Sequence, residues 1–421
     1  MAVPALVIGG GVAGAAVAAH LAEAGRAVLL VERRNGPHDK VCGEFISGEA
    51  ALYLDDLGVD LAALGAVRMR VVRLAAGRRI VTVPLPFPAL SLSRRILDEA
   101  VLRAAADRGA EVRRGRGVRA LTRRGGGWVA QLDDGETIAA DDVFLATGKH
   151  DLRGWKRPPG AQNDLVAFKL HWRLAREEAA SLGAGVELVL FPGGYAGLEP
   201  VEGGAANLCL VVRQRQFSAL GQRWGGLLAA LRAASPHLDR RLAGALACAS
   251  RPLAIASIPY GYVATGACTG ACPCRRTGAP FAGACAGGPW LLGDQAAVIP
   301  SFSGDGIAIA LHSARLAADI HLAGGTAGEF QRRLAHDVAG QVRRATWMSR
   351  MLVHSAGQVV AAAAARIVPE IVAGIARATR IPADCMRSAR DVPLLPLAAS
   401  PPLTPAPARY AGLPARRRDP E

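Results

Sequence analysis

The chain has 421 residues, long enough for two or three domains around a large buried core. With 51% hydrophobic and 20% charged residues it reads as globular, which excludes wholesale disorder. Fifty Lys and Arg against 35 acids give a formal charge of +15, but only Lys40, Lys149, Lys156 and Lys169 are lysines. The excess therefore reads as an arginine bias of composition; no basic run is interleaved with the aromatics that single-strand binding needs, so nucleic acid is excluded as a partner.

Val3 to Ile8 is a short apolar run, expected to be a buried parallel strand. GGGVAG (Gly9 to Gly14) leads straight into a small-residue helix ending at Gly25, and Ala27 to Val31 forms a second strand closed by Glu32. This is a right-handed βαβ start. Ser93 is a candidate cap for a helix over 94–108, and residues 111–148 read as a three-stranded meander punctuated by Gly125–Gly127 and Asp134-Gly135. From Asp164 to about Arg213 longer strands alternate with Gly-rich turns. A helical stretch (Phe217 to Ala249), a strand near Ala254 to Tyr260 and a short strand at Trp290 to Leu292 follow. Then come GDQAAVIPSFSGDG, a helix from Ile307 to Ile320 and a mostly helical region over 327–380. Residues 391–421 hold eight Pro in 31 residues and are expected to be an unstructured tail.

The glycine-rich start has the context a dinucleotide site needs. Gly9 permits the tight turn, Gly11 lets a pyrophosphate approach the backbone, and Gly14 lets helix and strand pack closely. The helix N-terminus offers free N–H groups to phosphates, and Glu32, 18 residues beyond Gly14, is placed to accept hydrogen bonds from a ribose. In the distant second segment a strand delivers Gly293-Asp294, suited to a ribitol hydroxyl. The Gly304–Gly306 turn opens a helix whose dipole would stabilise negative charge on a reduced flavin.

GGGVAG…Glu32 together with GDQAAVIPSFSGDG resembles the flavoprotein superfamily of geranylgeranyl reductases and aromatic-ring monooxygenases (the p-hydroxybenzoate hydroxylase-like enzymes), over roughly residues 3–320. The resemblance implies an α/β fold: a Rossmann-like FAD-binding domain, a β-rich substrate domain and a helical C-terminal cap. It implies FAD contacts from Gly9, Gly11, Val12, Ala13, Gly14, Glu32 and Arg33, then from Arg94, Val118 and Gly148, and finally from Gly293, Asp294, Pro300, Gly304, Asp305 and Gly306. The expected FAD domain comprises 1–75, 90–160 and 286–325. The substrate domain comprises 76–89 and 161–285, and the helical region 326–390.

KVCGEFIS (Lys40 to Ser47) resembles the cysteine-glycine segment that geranylgeranyl reductases set beside the flavin. Cys42 is then the candidate over the flavin ring, and Glu44 the candidate to donate or orient a proton. The monooxygenases usually carry an Asp-Gly pair where this chain has Thr147-Gly148, and a His after the GD motif where it has GDQAAV. Both departures favour reduction of a double bond in a hydrophobic small molecule over hydroxylation of an aromatic or quinone-type substrate. They also favour an electron-transfer protein over NAD(P)H as the fast donor. Gly197, in a segment resembling the reductases' substrate hairpin, stands where an aromatic is more usual and implies a roomier pocket.

Cys268, Cys272, Cys274 and Cys285 fall within 18 residues of an insert (264–288) that repeats TGAC. Their spacing is not a usual metal pattern, so a flexible surface insert is expected and no metal site. Eight Cys without a secretory signal, and a strand that begins at the third residue, suggest a cytoplasmic protein. The longest uncharged apolar stretch, Leu352 to Ala365, is short of the roughly 18–20 residues of a spanning helix. Core packing is its first explanation; a lid over a greasy substrate or a surface resting on a membrane are the others.

Overall fold

A computed structural model describes residues 3–265 and 288–386. The Cys268–Cys285 insert and the proline-rich tail lie outside the described residues. The fold is mixed α/β, built on two sheets with a helical C-terminal region.

The chain runs β1 (Val3–Ile8), α1 (Val12–Glu23), β2 (Val28–Glu32), β3 (Phe45–Ser47), α2 (Gly48–Asp56), β4 (Val67–Ala76), β5 (Arg79–Ser91) and α3 (Arg94–Asp107). It continues through β6 (Glu111–Arg114), β7 (Val118–Arg124), β8 (Gly127–Leu132), β9 (Thr137–Leu145), β10 (Leu165–Arg173), α4 (Arg176–Leu182), β11 (Gly185–Phe191), β12 (Gly194–Pro200) and β13 (Ala206–Arg213). The remaining elements are α5 (Gln214–Ala219), α6 (Trp224–Ala234), α7 (Pro236–Arg241), β14 (Leu246–Ala247), β15 (Leu253–Ala256), β16 (Trp290–Leu291), α8 (Gly306–Leu322), α9 (Ala327–Leu352), α10 (Ser355–Ile367) and α11 (Glu370–Ala378).

The first sheet has the order β6-β2-β1-β9-β8-β7, with β16 added beside β9. β6, β2, β1, β9 and β16 run parallel, while β8 returns antiparallel between β9 and β7. Residues 111–148 are thus not one meander: only β7–β9 are, and β6 lies on the far edge against β2. The fully buried Ala15, Ala16, Ala18 and Ala19 let α1 pass close between the sheet, α3 and α8. Ser93 caps α3 as expected, accepting from the Ile96 N–H.

The second sheet has the order β14-β10-β13-β12-β11-β4-β5-β3, with β15 on β10. It takes all of β4 and β5, so the second sheet claims 67–91 and not only 76–89, and the sequence boundary at 75 falls inside a strand. The signal was hidden because β4 pairs in parallel with β11, a partner more than a hundred residues later.

Period-two alternation gives the sheet two apolar faces. Val166, Phe168, Leu170 and Trp172 of β10, with Leu208, Leu210 and Val212 of β13, pack under α6 and α7. The odd-numbered side chains face the other way, toward the first sheet and the C-terminal helices. Core packing explains only part of the apolar C-terminal stretch: Leu352, Val353 and Ala365 are buried, but Val359 and Val360 of α10 are exposed and α11 has no buried residue.

Candidate functional site

The two sheets and the loops between them enclose a cavity of about 520 Å³. Its lining passes from Glu32, Arg33 and Val118 at one end, past Gly9, Gly11, Val12 and Ala13, to Gly148, Gly293, Asp294, Gly304 and Gly306. Cys42, Ala167, Cys209 and Tyr260 close the other end.

At the first end β1 turns into α1 with a backbone that only glycine tolerates. Gly9 has φ +107°, and a Cβ there would lie 2.5 Å from the Ala146 carbonyl oxygen. Gly11 caps α1 without a side-chain cap, so the first helical N–H groups stay open to the cavity. The nearest atoms to a Cβ on Gly11 would be the Lys40 ammonium at 3.0 Å, the Arg94 guanidinium at 3.7 Å and the Asp98 carboxylate at 3.8 Å. Two cations therefore stand at the N-terminus of α1, held by Asp98: Lys40 Nζ is 2.7 Å and Arg94 Nε 2.6 Å from its carboxylate. Burial would raise the Asp98 pKa, but the charges of Arg94 and Lys40 outweigh it and keep the carboxyl below its ordinary value. Glu32 accepts from the Gly10 N–H at 2.7 Å and the Arg34 N–H at 2.9 Å, which fixes its carboxylate at the cavity wall.

In the second segment, Lys149 reaches Asp294 at 3.2 Å, and Arg157 donates to the Asp294 and Lys149 carbonyls. The Asp294 pKa is lowered: burial opposes the shift, while Lys149 and Arg157 drive it. Gln295 donates to the carbonyls of Gly148 (2.7 Å) and His150 (3.1 Å), and Thr147 Oγ1 donates to the His150 carbonyl at 2.6 Å. Gln295 thus ties this loop to the GD turn, and Thr147 closes the loop on itself. At Gly306, the first residue of α8, a Cβ would meet nothing within 4 Å, leaving that helix end open.

Three expected contacts lie outside the lining. Gly14 packs α1 against the first turn, where a Cβ would overlap the Gly9 carbonyl oxygen. Pro300 opens the 301–303 turn. Asp305 is buried facing Arg380 at 3.1 Å, and burial, opposed by that guanidinium, pushes its carboxyl up to about 7.

At the far end the odd-numbered positions of β10, β13 and β12 form rows. Lys169, Cys209 and Gly197 are cross-strand neighbours, as are His171, Asn207 and Glu199. Asn207 donates to the carbonyls of Cys42 (3.1 Å) and Gly43 (2.8 Å), clamping the turn that carries Cys42 to the sheet. The Glu44 N–H donates to Cys42 Sγ at 3.3 Å. Glu44 has φ +68° and a fully buried carboxylate that accepts from Lys169, from His171 Nε2 at 2.7 Å and from the Arg94 N–H at 2.8 Å. Burial alone would raise its pKa; the His171 hydrogen bond and the Lys169 charge prevail and hold it below its ordinary value. Of the two expectations for Glu44, to donate a proton or to orient one, this engagement as an acceptor from three donors favours the second. Glu199 is the opposite case. Burial, reinforced by the Glu44 charge, raises its pKa well above the carboxylate range, and Ser91 Oγ donates to it at 3.2 Å. A Cβ on Gly197 would meet only the Cys209 carbonyl, at 3.7 Å, so the missing side chain leaves open space.

Lys40, Asp98, Lys149, Lys169, His171, Asn207 and Glu199 were not singled out as site residues from the sequence. One signal was present: three of the four lysines of an arginine-biased chain stand at or beneath this cavity.

An uncapped helix start beside two cations, a fixed carboxylate at the wall and a second open helix end surround one cavity, an arrangement that suits a dinucleotide flavin. The sequence profile of the FAD dependent oxidoreductase family matches residues 5–70. A menaquinone reductase of Mycolicibacterium smegmatis is 30% identical over 340 residues, 76% of each chain. A menaquinone reductase of Mycobacterium tuberculosis is 26% identical over 333 residues, 75% of each. The fold matches a flavin-dependent brominase at TM-score 0.70 and 17% identity, covering 90% of this chain and 93% of that one. PqsL of P. aeruginosa, solved with 2-aminobenzoylacetate, matches at TM-score 0.63 and 16% identity, covering 89% and 99%. The chain belongs to the FAD-dependent oxidoreductases.

The residues present fit FAD. The uncapped helix start at Gly11 with Lys40 and Arg94 beside it suits a diphosphate, Glu32 a ribose, and the open Gly306 end a flavin edge.

Proposed function

We propose that this enzyme reduces a double bond of a hydrophobic, quinone-type small molecule of the menaquinone class. The observation that carries the reading is the continuity of the cavity from the Gly9–Glu32 unit to Ala167, Cys209, Ile255, Ile258 and Tyr260 of the second sheet, where the lining is almost wholly apolar. That end suits a greasy substrate. The similarity to the two mycobacterial reductases supports the same class.

FAD supplies hydride-transfer chemistry when bound. Gly11, Lys40 and Arg94 would hold its diphosphate, Glu32, Arg33 and Val118 its adenosine, Asp294 its ribitol, and Gly148, Gly304 and Gly306 would border its ring. Cys42 is the candidate catalytic residue, because its thiol lines the cavity where both sheets meet. Glu44 is a positioning residue. Its carboxylate holds the charged Lys169 and the imidazole of His171 in place, while its backbone N–H fixes Cys42 Sγ. Glu199, in the same row of the sheet, has its pKa raised well above the ordinary carboxylate value by burial. The 147–150 loop is hydrogen-bonded to itself and to Gln295, which supports an electron-transfer protein over NAD(P)H as the fast donor.

The test is anaerobic reduction of the FAD-loaded protein with NADH, NADPH and an artificial reductant, followed by a polyprenyl quinone and labelled O2. A product that gains two hydrogens without oxygen supports the proposal; labelled oxygen in the product makes the enzyme a monooxygenase.

A further inference from the structure

No described helix is long and apolar enough to cross a membrane alone, yet α10 and the segment after it pass the composition test together as a pair bent by 117°. These helices leave their apolar residues in solvent: Val359 is 70%, Val360 60% and Ile367 73% exposed, with Val368 and Ile371 continuing the patch. Trp347 of α9 is 63% exposed and stands one turn from Arg344, whose guanidinium donates to the Ala378 carbonyl at the end of α11. Six of the large exposed apolar side chains among the described residues thus fall within 347–371, a clustering a solvated surface does not need.

Charge around the patch is mostly positive. Between residues 338 and 386 there are six Arg against two acids, and Arg343, Arg344, Arg350, Arg366 and Arg377 are exposed. Apolar side chains framed by Arg, with an aromatic at the edge, match the headgroup layer of an anionic bilayer; a second protein copy would bring the same positive rim against itself. The inner side of α10 and α11 is equally informative. Ala361, Ala365 and Val372 pack in the cluster holding Tyr260 and Phe302, and Tyr260 lines the far end of the cavity.

We infer that α10 and α11 lie in the plane of an anionic phospholipid surface and seat the cavity's apolar end against it. The inference stands apart from the substrate reading, because it is tested on vesicles that contain no quinone.

FAD-loaded protein is spun with vesicles of phosphatidylcholine alone and of phosphatidylcholine mixed with phosphatidylglycerol. The expected result is cosedimentation with the mixed vesicles, weakened by salt, and a loss of about tenfold or more in partitioning for Val359→Asp/Ile367→Asp. Arg350→Glu/Arg366→Glu should abolish the preference for phosphatidylglycerol. Both pairs are exposed, and unchanged flavin content with unchanged sedimentation in the absence of lipid checks that they fold. Wild-type protein that stays in the supernatant, or an Asp variant that binds equally, overturns the inference. So does a wild-type dimer that the Asp variant converts to monomer, which would give this face to a second copy of the chain.

Discussion

Two buried glutamates face the same side of the second sheet's floor, and the structure requires them to respond oppositely to loss of charge. Glu44 is ionised and accepts from Lys169, His171 and the Arg94 backbone. Glu44→Gln keeps the shape but leaves the buried Lys169 ammonium with only Asp39, 4.0 Å away, as an acidic partner. Uncoupling one member of a buried pair costs about 3–5 kcal/mol. Glu199's pKa is raised well above its ordinary value, so Glu199→Gln strands no buried charge and should not destabilise. Urea unfolding followed by tryptophan fluorescence reads both. The sign with pH follows from the shifts. Glu44's folded pKa is depressed, so its contribution is complete above its ordinary value of 4.5 and is lost as pH falls through the folded value. The gap between wild type and Glu44→Gln should therefore close on acidification. Glu199's folded pKa is raised, so its burial costs stability as pH rises above 4.5, and the Gln variant should gain on the wild type toward neutral pH. Lys169→Met added to Glu44→Gln should recover part of the loss. Equal costs for the two Gln variants, or no recovery in the double variant, would refute the assignment of charge.

Gly11→Val should abolish FAD retention while leaving a folded protein, since the branched side chain fills the space before the α1 N-terminus; absorbance of the purified variant after denaturation and filtration measures it. Cys42→Ala should slow substrate turnover by prereduced enzyme with FAD content unchanged, as single-turnover kinetics would show. Arg380→Met removes the cation facing buried Asp305, whose carboxyl sits at about 7. A raised folded pKa costs stability as pH climbs from 3.8 toward that value, so the variant should lose more Tm at pH 8 than at pH 5. Gln295→Ala frees the Gly148 and His150 carbonyls and should alter the rate of nicotinamide-driven flavin reduction in stopped flow.

The first turn was readable because its chemistry is local: strand, glycines, helix and acid follow within thirty residues, and the structure gathers Gly9, Gly11, Val12, Ala13 and Glu32 at one wall. The floor of the far end was not, because it is made by cross-strand register. Nothing in the sequence around Lys169 announces that it pairs opposite Cys209, or that Asn207 will reach back to Cys42. Glu44 was singled out without its partners, since Lys169 comes from a strand 125 residues away. The place of β4 in the second sheet was hidden for the same reason, because its parallel partner is β11. The lysines teach a separate lesson. An arginine bias was treated as background, and the few positions where lysine persists were the informative ones.

The first sheet draws its central strands from residues 3–8, 28–32, 140–145 and 290–291. During synthesis at about 5–20 residues per second, β16 emerges roughly 15–60 s after β1. Until then the α1 start, with its glycines and its row of alanines, has no α8 to pack against, and the Asp294 end of the cavity does not exist. Cofactor capture is therefore a late event in the life of the nascent chain. Truncated translation products ending before α8 should accumulate without flavin and with α1's alanine face uncovered, a natural substrate for chaperones and proteases.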